Sequence, residues 1–266
     1  MTHQQILAKV ANKYFARCID DEIAYLTYQA MLGPAAKNKA PEEWLAEILP
    51  QLLARWNCLL AAPEVSESNL HATWLAIAIT LHKYGFQDKD ITQKAIEAID
   101  YMNKQVLSSD EMFRKSEEIK TFLKSPPEPL KRKPAYQDSV TFFRAEDVIS
   151  VQYNKRFYVA YVHEVNTGNE RPVIEFYDGV FENIPTIEQV KILKARGRGI
   201  GKPVISKFGI YNRTHLPDFA NQFILLASGV KEKPDNSMLE EPTGLYTMSS
   251  LYEIQLNIRQ LFQLTG

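Results

Sequence analysis

Ser125–Ser139, SPPEPLKRKPAYQDS, carries four prolines in fifteen residues. Proline removes a backbone donor and its ring collides with the preceding turn, so this stretch sustains neither a helix nor a central strand. Hydrophobic residues recur with helical spacing before it and with alternating spacing after it. A chain of 266 residues has room for two cores. The expected fold class is therefore α+β. An all-helical domain is read over 1–124, a Pro-rich linker over 125–139, and a β-rich domain with a C-terminal helix over 140–266. The second domain is expected to be an antiparallel sheet or an SH3-like partial barrel with flanking helices.

In the first part, DDEIAYLTYQAML opens with Asp20 and Asp21 as cap candidates and stops at Gly33-Pro34. PEEWLAEILPQLLARWNCLLAAP has Pro41 at a first-turn position, and Pro50 predicts a kink or two short helices. SESNLHATWLAIAITLHKYG aligns Leu70, Trp74, Ile77 and Leu81 and ends at Gly85. DKDITQKAIEAIDYMNKQ and SSDEMFRKSEEIKTFLKS complete the set.

In the second part, DVISVQY, RFYVAYVHEVN and RPVIEFYDG read as three strands. Asn154-Lys155 and Thr167–Glu170 are the turns between them. IPTIEQVKIL has a capping-box pattern, Thr186 with Gln189. KPVISKFGIYNR and NQFILLASGV are further strands, KEKPDNSMLEEPTG a loop, and SSLYEIQLNIRQLFQL a helix capped by Ser250 and Glu253.

Lys and Arg number 31 against 32 Asp and Glu, which argues against a protein that grips nucleic acid through bulk charge. No apolar run approaches the roughly 20 residues of a membrane helix, and the N-terminus lacks a secretory pattern. Cys18 and Cys58 sit in apolar, helix-like sequence and read as reduced thiols. The expected location is cytoplasmic.

Motifs for chemistry fail on spacing. No paired cysteines or HExxH occur; His163-Glu164 is followed by Val165. ARGRGIGKP lacks the glycine and hydroxyl positions of a phosphate loop, because Arg196 and Pro203 occupy them. Ser228 has Leu226 where a nucleophile elbow needs glycine. No cofactor, no metal and no catalytic residue are assigned, and the oligomeric state is left open.

Alternation puts His163 and Glu164 on opposite faces of their strand. His163 reads as a core-edge histidine with a hydrogen-bonded ring, and Asp178 as a turn residue. Tyr158, Glu164, Glu175 and Tyr177 are expected to share an outer face suited to a partner, with plain solvent exposure as the other reading. Lys194, Arg196, Arg198 and Lys202 lie on a basic loop, a second candidate contact patch.

The stretch 142–190 resembles the small β-rich immunity domains of bacterial polymorphic toxin systems. Phe143, Asp147-Val148, Arg156–Ala160, Asp178 and Pro185–Glu188 fill the places of its aromatic lead, first strand, second strand, third-strand aspartate and helix start. Glu146 replaces the usual glycine, and Lys155 is the second hairpin residue. The resemblance implies a non-enzymatic protein that binds a cognate toxin and blocks it. The alternative is an enzyme or regulatory binding module acting on nucleic acid or a peptide; for the enzyme, His163, Asp178 and His215 would be the candidates.

Overall fold

The structure, a computed structural model, describes residues 2–11, 13–32, 39–135, 141–166, 171–199, 201–211 and 218–264. The turn Thr167–Glu170 and His215 lie outside these. The chain is α+β, with the helices of its N-terminal part followed by a six-stranded mixed sheet and flanking helices. Internal contacts divide it into two units: Met1–Leu53 with Leu59–Gln137, and Asp138–Gly266 with Ala54–Cys58.

Unit 1 is built from α1 (His3–Val10), α2 (Lys13–Ala30), α3 (Pro41–Leu60, apart from the five residues above), α4 (Glu67–Lys83), α5 (Lys89–Lys104), α6 (Asp110–Arg114) and α7 (Ser116–Lys124). Side-chain caps set many of the starts: Thr2 with Gln5 for α1, Ser66 for α4, Asp88 for α5 and Ser109 for α6. In α4 every residue from Leu75 to His82 is buried, because α1, α2, α5 and α7 pack around it. A helix apolar on all sides is a core helix, so the single stripe read from sequence understated its burial. The hydroxyls of Thr73 and Thr80 bond back to carbonyls four residues earlier, which satisfies them inside the core.

Two helix boundaries differ from expectation. α2 begins at Lys13, so Asp20 and Asp21 lie within it rather than capping it. Cys18, Ile19, Ile23 and Leu26 extend its buried stripe, while Asp20 pairs with Lys83 and Asp21 with Arg17. α3 runs through Pro50 as one helix. Gly85 ends α4 at φ +80°, and the side chain it lacks leaves space for Glu128 O at 3.0 Å and Leu130 N at 3.2 Å. The first part of the proline-rich segment thus lies against the end of α4.

Unit 2 is a six-stranded sheet in the order β5-β1-β2-β3-β4-β6. The strands are β1 (Val148–Tyr153), β2 (Arg156–Asn166), β3 (Arg171–Phe181), β4 (Lys207–Tyr211), β5 (Phe223–Ala227) and β6 (Thr247–Ser250). Neighbours are antiparallel except β4 and β6, which are parallel. The sheet is therefore mixed rather than purely antiparallel. β6 has the sequence TMSS, too short and polar to show the alternation that marks a strand in sequence. Asn154 and Lys155 both take positive φ, the signature of a primed hairpin turn, and they connect β1 to β2 as expected.

Both faces of the sheet are covered. On one, Val148, Val159, Tyr161 and Tyr177 pack with Val190 of α8 (Ile187–Lys191) and with Val230. On the other, the Phe262 ring beside α9 (Glu253–Leu261) packs on Tyr158 and Phe176. Both capping exchanges read from sequence form: Thr186 with Gln189 at α8, and Ser250 with Glu253 at α9.

Candidate functional site

The β2–β3 ladder opposes Tyr161 to Glu175 and Ala160 to Phe176, with irregularities at Tyr158/Ala160 and Val162/Glu164. Directly opposed residues share a face. Glu175 therefore stands beside Tyr161 and His163, not on the outer face assigned to it from alternation alone. His163 Nε2 lies 2.7 Å from Glu175 Oε2, and Asn236 Nδ2 donates to Glu175 Oε1 at 3.2 Å. The His163 ring meets Tyr161 edge-on at 5.1 Å. A carboxylate only accepts, so this contact fixes the imidazole proton on Nε2. His163 is the hydrogen-bonded, core-edge residue that the sequence suggested.

The segment Val230–Glu240 is tied across this face. Tyr161 Oη donates to Val230 O at 3.0 Å, Val230 N to Glu146 O at 2.9 Å, and Ala195 N to Asp235 O at 2.9 Å. Asn236 is anchored on the fully buried Glu175. At the far end Ile205 N donates to Glu240 O and Glu240 N to Pro203 O, each at 3.0 Å. The tied segment presents Met238, 75% exposed. Burial pushes the Tyr177 hydroxyl up to about 12, with the nearby Tyr161, Glu175 and Glu232 adding to the rise. Burial likewise raises Tyr161, with Glu146 in support.

The partner-face residues separate. Tyr158, Glu175 and Tyr177 are 1%, 0% and 2% exposed, because helices or loops cover both faces of the sheet. Only Glu164 of that set is exposed. Tyr158 and Phe176 face α9, whereas Glu175 and Tyr177 face α8 and the 230–240 segment. Asp178 lies within β3, which continues to Phe181, and pairs with Arg196 at 3.0 Å rather than making a turn.

The basic stretch is fastened to its own unit. Arg196 Nε donates to Leu261 O at 3.0 Å and its guanidinium sits over the Phe262 ring. It therefore satisfies one of the carbonyls left open at the C-terminus of α9. Arg198 reaches Gln260 at 2.7 Å and Asn257 at 3.3 Å. Lys202 pairs with Glu240 at 3.4 Å, and Lys194 is exposed beside Asp235. The two arginines are structural ties, while Lys194, Lys202 and Glu164 remain at the surface.

Sequence reading missed the 230–240 segment as a structured element. Its one local signal is turn chemistry in PDNS: Ser237 N donates to Asp235 Oδ1 at 3.0 Å, and hydrogen bonds from the Ser237 hydroxyl and backbone hold the Asp235 carboxyl below its usual range. Nothing local announces the Asn236–Glu175 contact, which spans 61 residues. Cys18 and Cys58 are buried and are not joined in a disulfide. Among the described residues, no cluster of three or more His, Cys, Asp or Glu is placed to hold a metal ion, and no helix is long and apolar enough to cross a membrane. No protein-family description, curated protein or solved structure matches this chain.

Proposed function

We propose that this chain is a cytoplasmic, non-catalytic protein that binds a protein partner, of the kind its resemblance to immunity domains implies: a neutraliser of a cognate bacterial toxin. The observation that carries the reading is the pinned 230–240 segment. It holds Met238 outward on a backbone already fixed at Val230, Asp235, Asn236 and Glu240. A large apolar side chain on a pre-ordered loop suits an interface anchor, because little conformational freedom is left to lose on binding. Exposed Lys194, Lys202 and Glu164 supply charge for steering and register.

The test is co-expression with candidate secreted toxins, read as growth rescue and as a stoichiometric purified complex. Met238→Asp is expected to weaken the complex by about tenfold or more without unfolding the protein. Retention of full affinity in that variant would remove the 230–240 segment from the interface. Failure of every toxin to be neutralised would remove the immunity reading.

A second reading rests on the His163–Glu175 contact. A carboxylate that orients an imidazole is the arrangement of a general base, and it fits an enzyme acting on nucleic acid or a peptide. Turnover of such a substrate that is lost in His163→Gln would favour it.

A further inference from the structure

Unit 1 holds a histidine pair whose proton positions are dictated by its neighbours. His82, 6% exposed in α4, has Nε2 at 3.0 Å from Ser125 O and Nδ1 at 2.9 Å from Nε2 of His3 in α1. A carbonyl oxygen only accepts, so His82 carries its proton on Nε2. Its Nδ1 is then a lone pair, and His3 Nε2 must be the donor. Phe122 of α7 closes the group, with its ring 4.9 Å from His3 and 4.6 Å from His82.

This chain of bonds accepts one extra proton. If His82 becomes charged, its Nδ1–H can donate to a His3 that has moved its own proton to Nδ1. A second proton leaves N–H groups on both facing nitrogens, so the bond is lost and two cations stand in contact. The surrounding charges are Lys83 on α4, which is paired with Asp20 of α2, and Glu128, Lys131 and Arg132 on the segment after α7. Arg17 and Lys13 of α2 line the cleft on the other side of His3. Glu128 alone favours a charged His3; burial, His82 and Lys83 all hold His3 below its ordinary value.

We propose that His3 and His82 form a proton-operated latch that fastens α1 to α4 and to Ser125, and that the second proton releases it. Two clefts meet there, of about 780 Å³ and about 550 Å³, and His3 and Lys83 belong to the walls of both. Withdrawal of His3 joins them into one groove bordered by Lys13, Arg17, Lys83, Lys131 and Arg132. The latch makes this groove available on acidification.

The test uses the full chain. Histidine ring NMR near neutral pH reads the tautomers, and amide hydrogen exchange reads the protection of α1 relative to α5. The His82 signal is expected in the Nε2–H form. Between about pH 7.5 and about pH 4, after correction for intrinsic exchange, protection of α1 is expected to fall about tenfold or more, with the fall below the ordinary histidine range because burial, His82 and Lys83 hold His3 down. His3→Gln can still donate to His82 Nδ1 but binds no proton, and is expected to keep its protection. An Nδ1–H form of His82, unchanged α1 protection in the wild type, or the same loss in His3→Gln would each overturn the latch.

Discussion

Arg55 and Asp218 form a two-pronged ion pair with side chains 2% and 0% exposed. Arg55 Nη2 donates to Asp218 Oδ1 at 2.7 Å and Nη1 to Oδ2 at 3.0 Å. Asp218 also accepts from the backbone of Ala220, Gln222 and Phe223, so one carboxylate sets the turn that leads into β5. Arg55 Nη1 reaches Gln222 Oε1 as well, and Gln222 Nε2 donates to Gln152 O of β1.

Removing one member of this pair takes both prongs from the other. Arg55→Ala is expected to destabilise unit 2 by about 3–5 kcal/mol, because the buried Asp218 carboxylate loses its two-pronged guanidinium bond. Replacing both, as in Arg55→Met with Asp218→Leu, restores less than a simple ion-pair exchange would, since the backbone donors of residues 220, 222 and 223 also lose their acceptor. Denaturant titration of the two variants, compared as a mutant cycle, checks both statements.

Glu175→Ala removes the acceptor shared by His163 and Asn236. A loss of roughly 1–3 kcal/mol is expected, together with faster amide exchange across residues 230–240. Hydrogen exchange by mass spectrometry separates this local release from global unfolding. Exchange in β1 should change only by the global amount.

Lys155 sits at φ +58° in the β1–β2 turn, a conformation that crowds any side chain. Primed two-residue turns favour glycine there. Lys155→Gly is expected to raise stability by about 0.5–1 kcal/mol, measured by thermal or denaturant unfolding. Equal or lower stability would mean that the Lys155 side chain makes a compensating contact.

Alkaline pH should weaken unit 2. Burial raises the Cys58 thiol from 9.0 to about 12, with Asp218 adding to the rise and Arg55 opposing it, and raises the Tyr177 hydroxyl from 10.0 to about 12. In the unfolded chain both groups release their protons earlier. The unfolded state then binds fewer protons, so stability falls as pH rises from about 9 toward about 12. Unfolding midpoints measured up that range, with Cys58→Ala and Tyr177→Phe as references, read each contribution. In the native state Cys58 should also resist alkylation near neutral pH, since only the thiolate reacts.

What the sequence determined by itself lies in local signals. Proline density at 125–139 and the change of hydrophobic period marked an α+β chain. The caps at Thr186 and Ser250 depend on groups three residues apart. The Asn154-Lys155 turn depends on two adjacent residues. Alternation also placed His163 correctly, since the period of a single strand needs no partner to be read.

The tertiary structure decided which faces coincide and which polar groups meet. Alternation alone puts Tyr158 and Glu175 on one outer face, but register and covering elements bury them on opposite sides of the sheet. Arg196 and Arg198 looked like a solvent-facing patch until α9 folded back to receive them. Glu175 with Asn236 and Arg55 with Asp218 are separated by 61 and 163 residues. A hydrogen bond needs its two atoms at bonding distance, whatever their separation along the chain. Side-chain periodicity carries no record of that distance, so only the packed fold could bring these groups together.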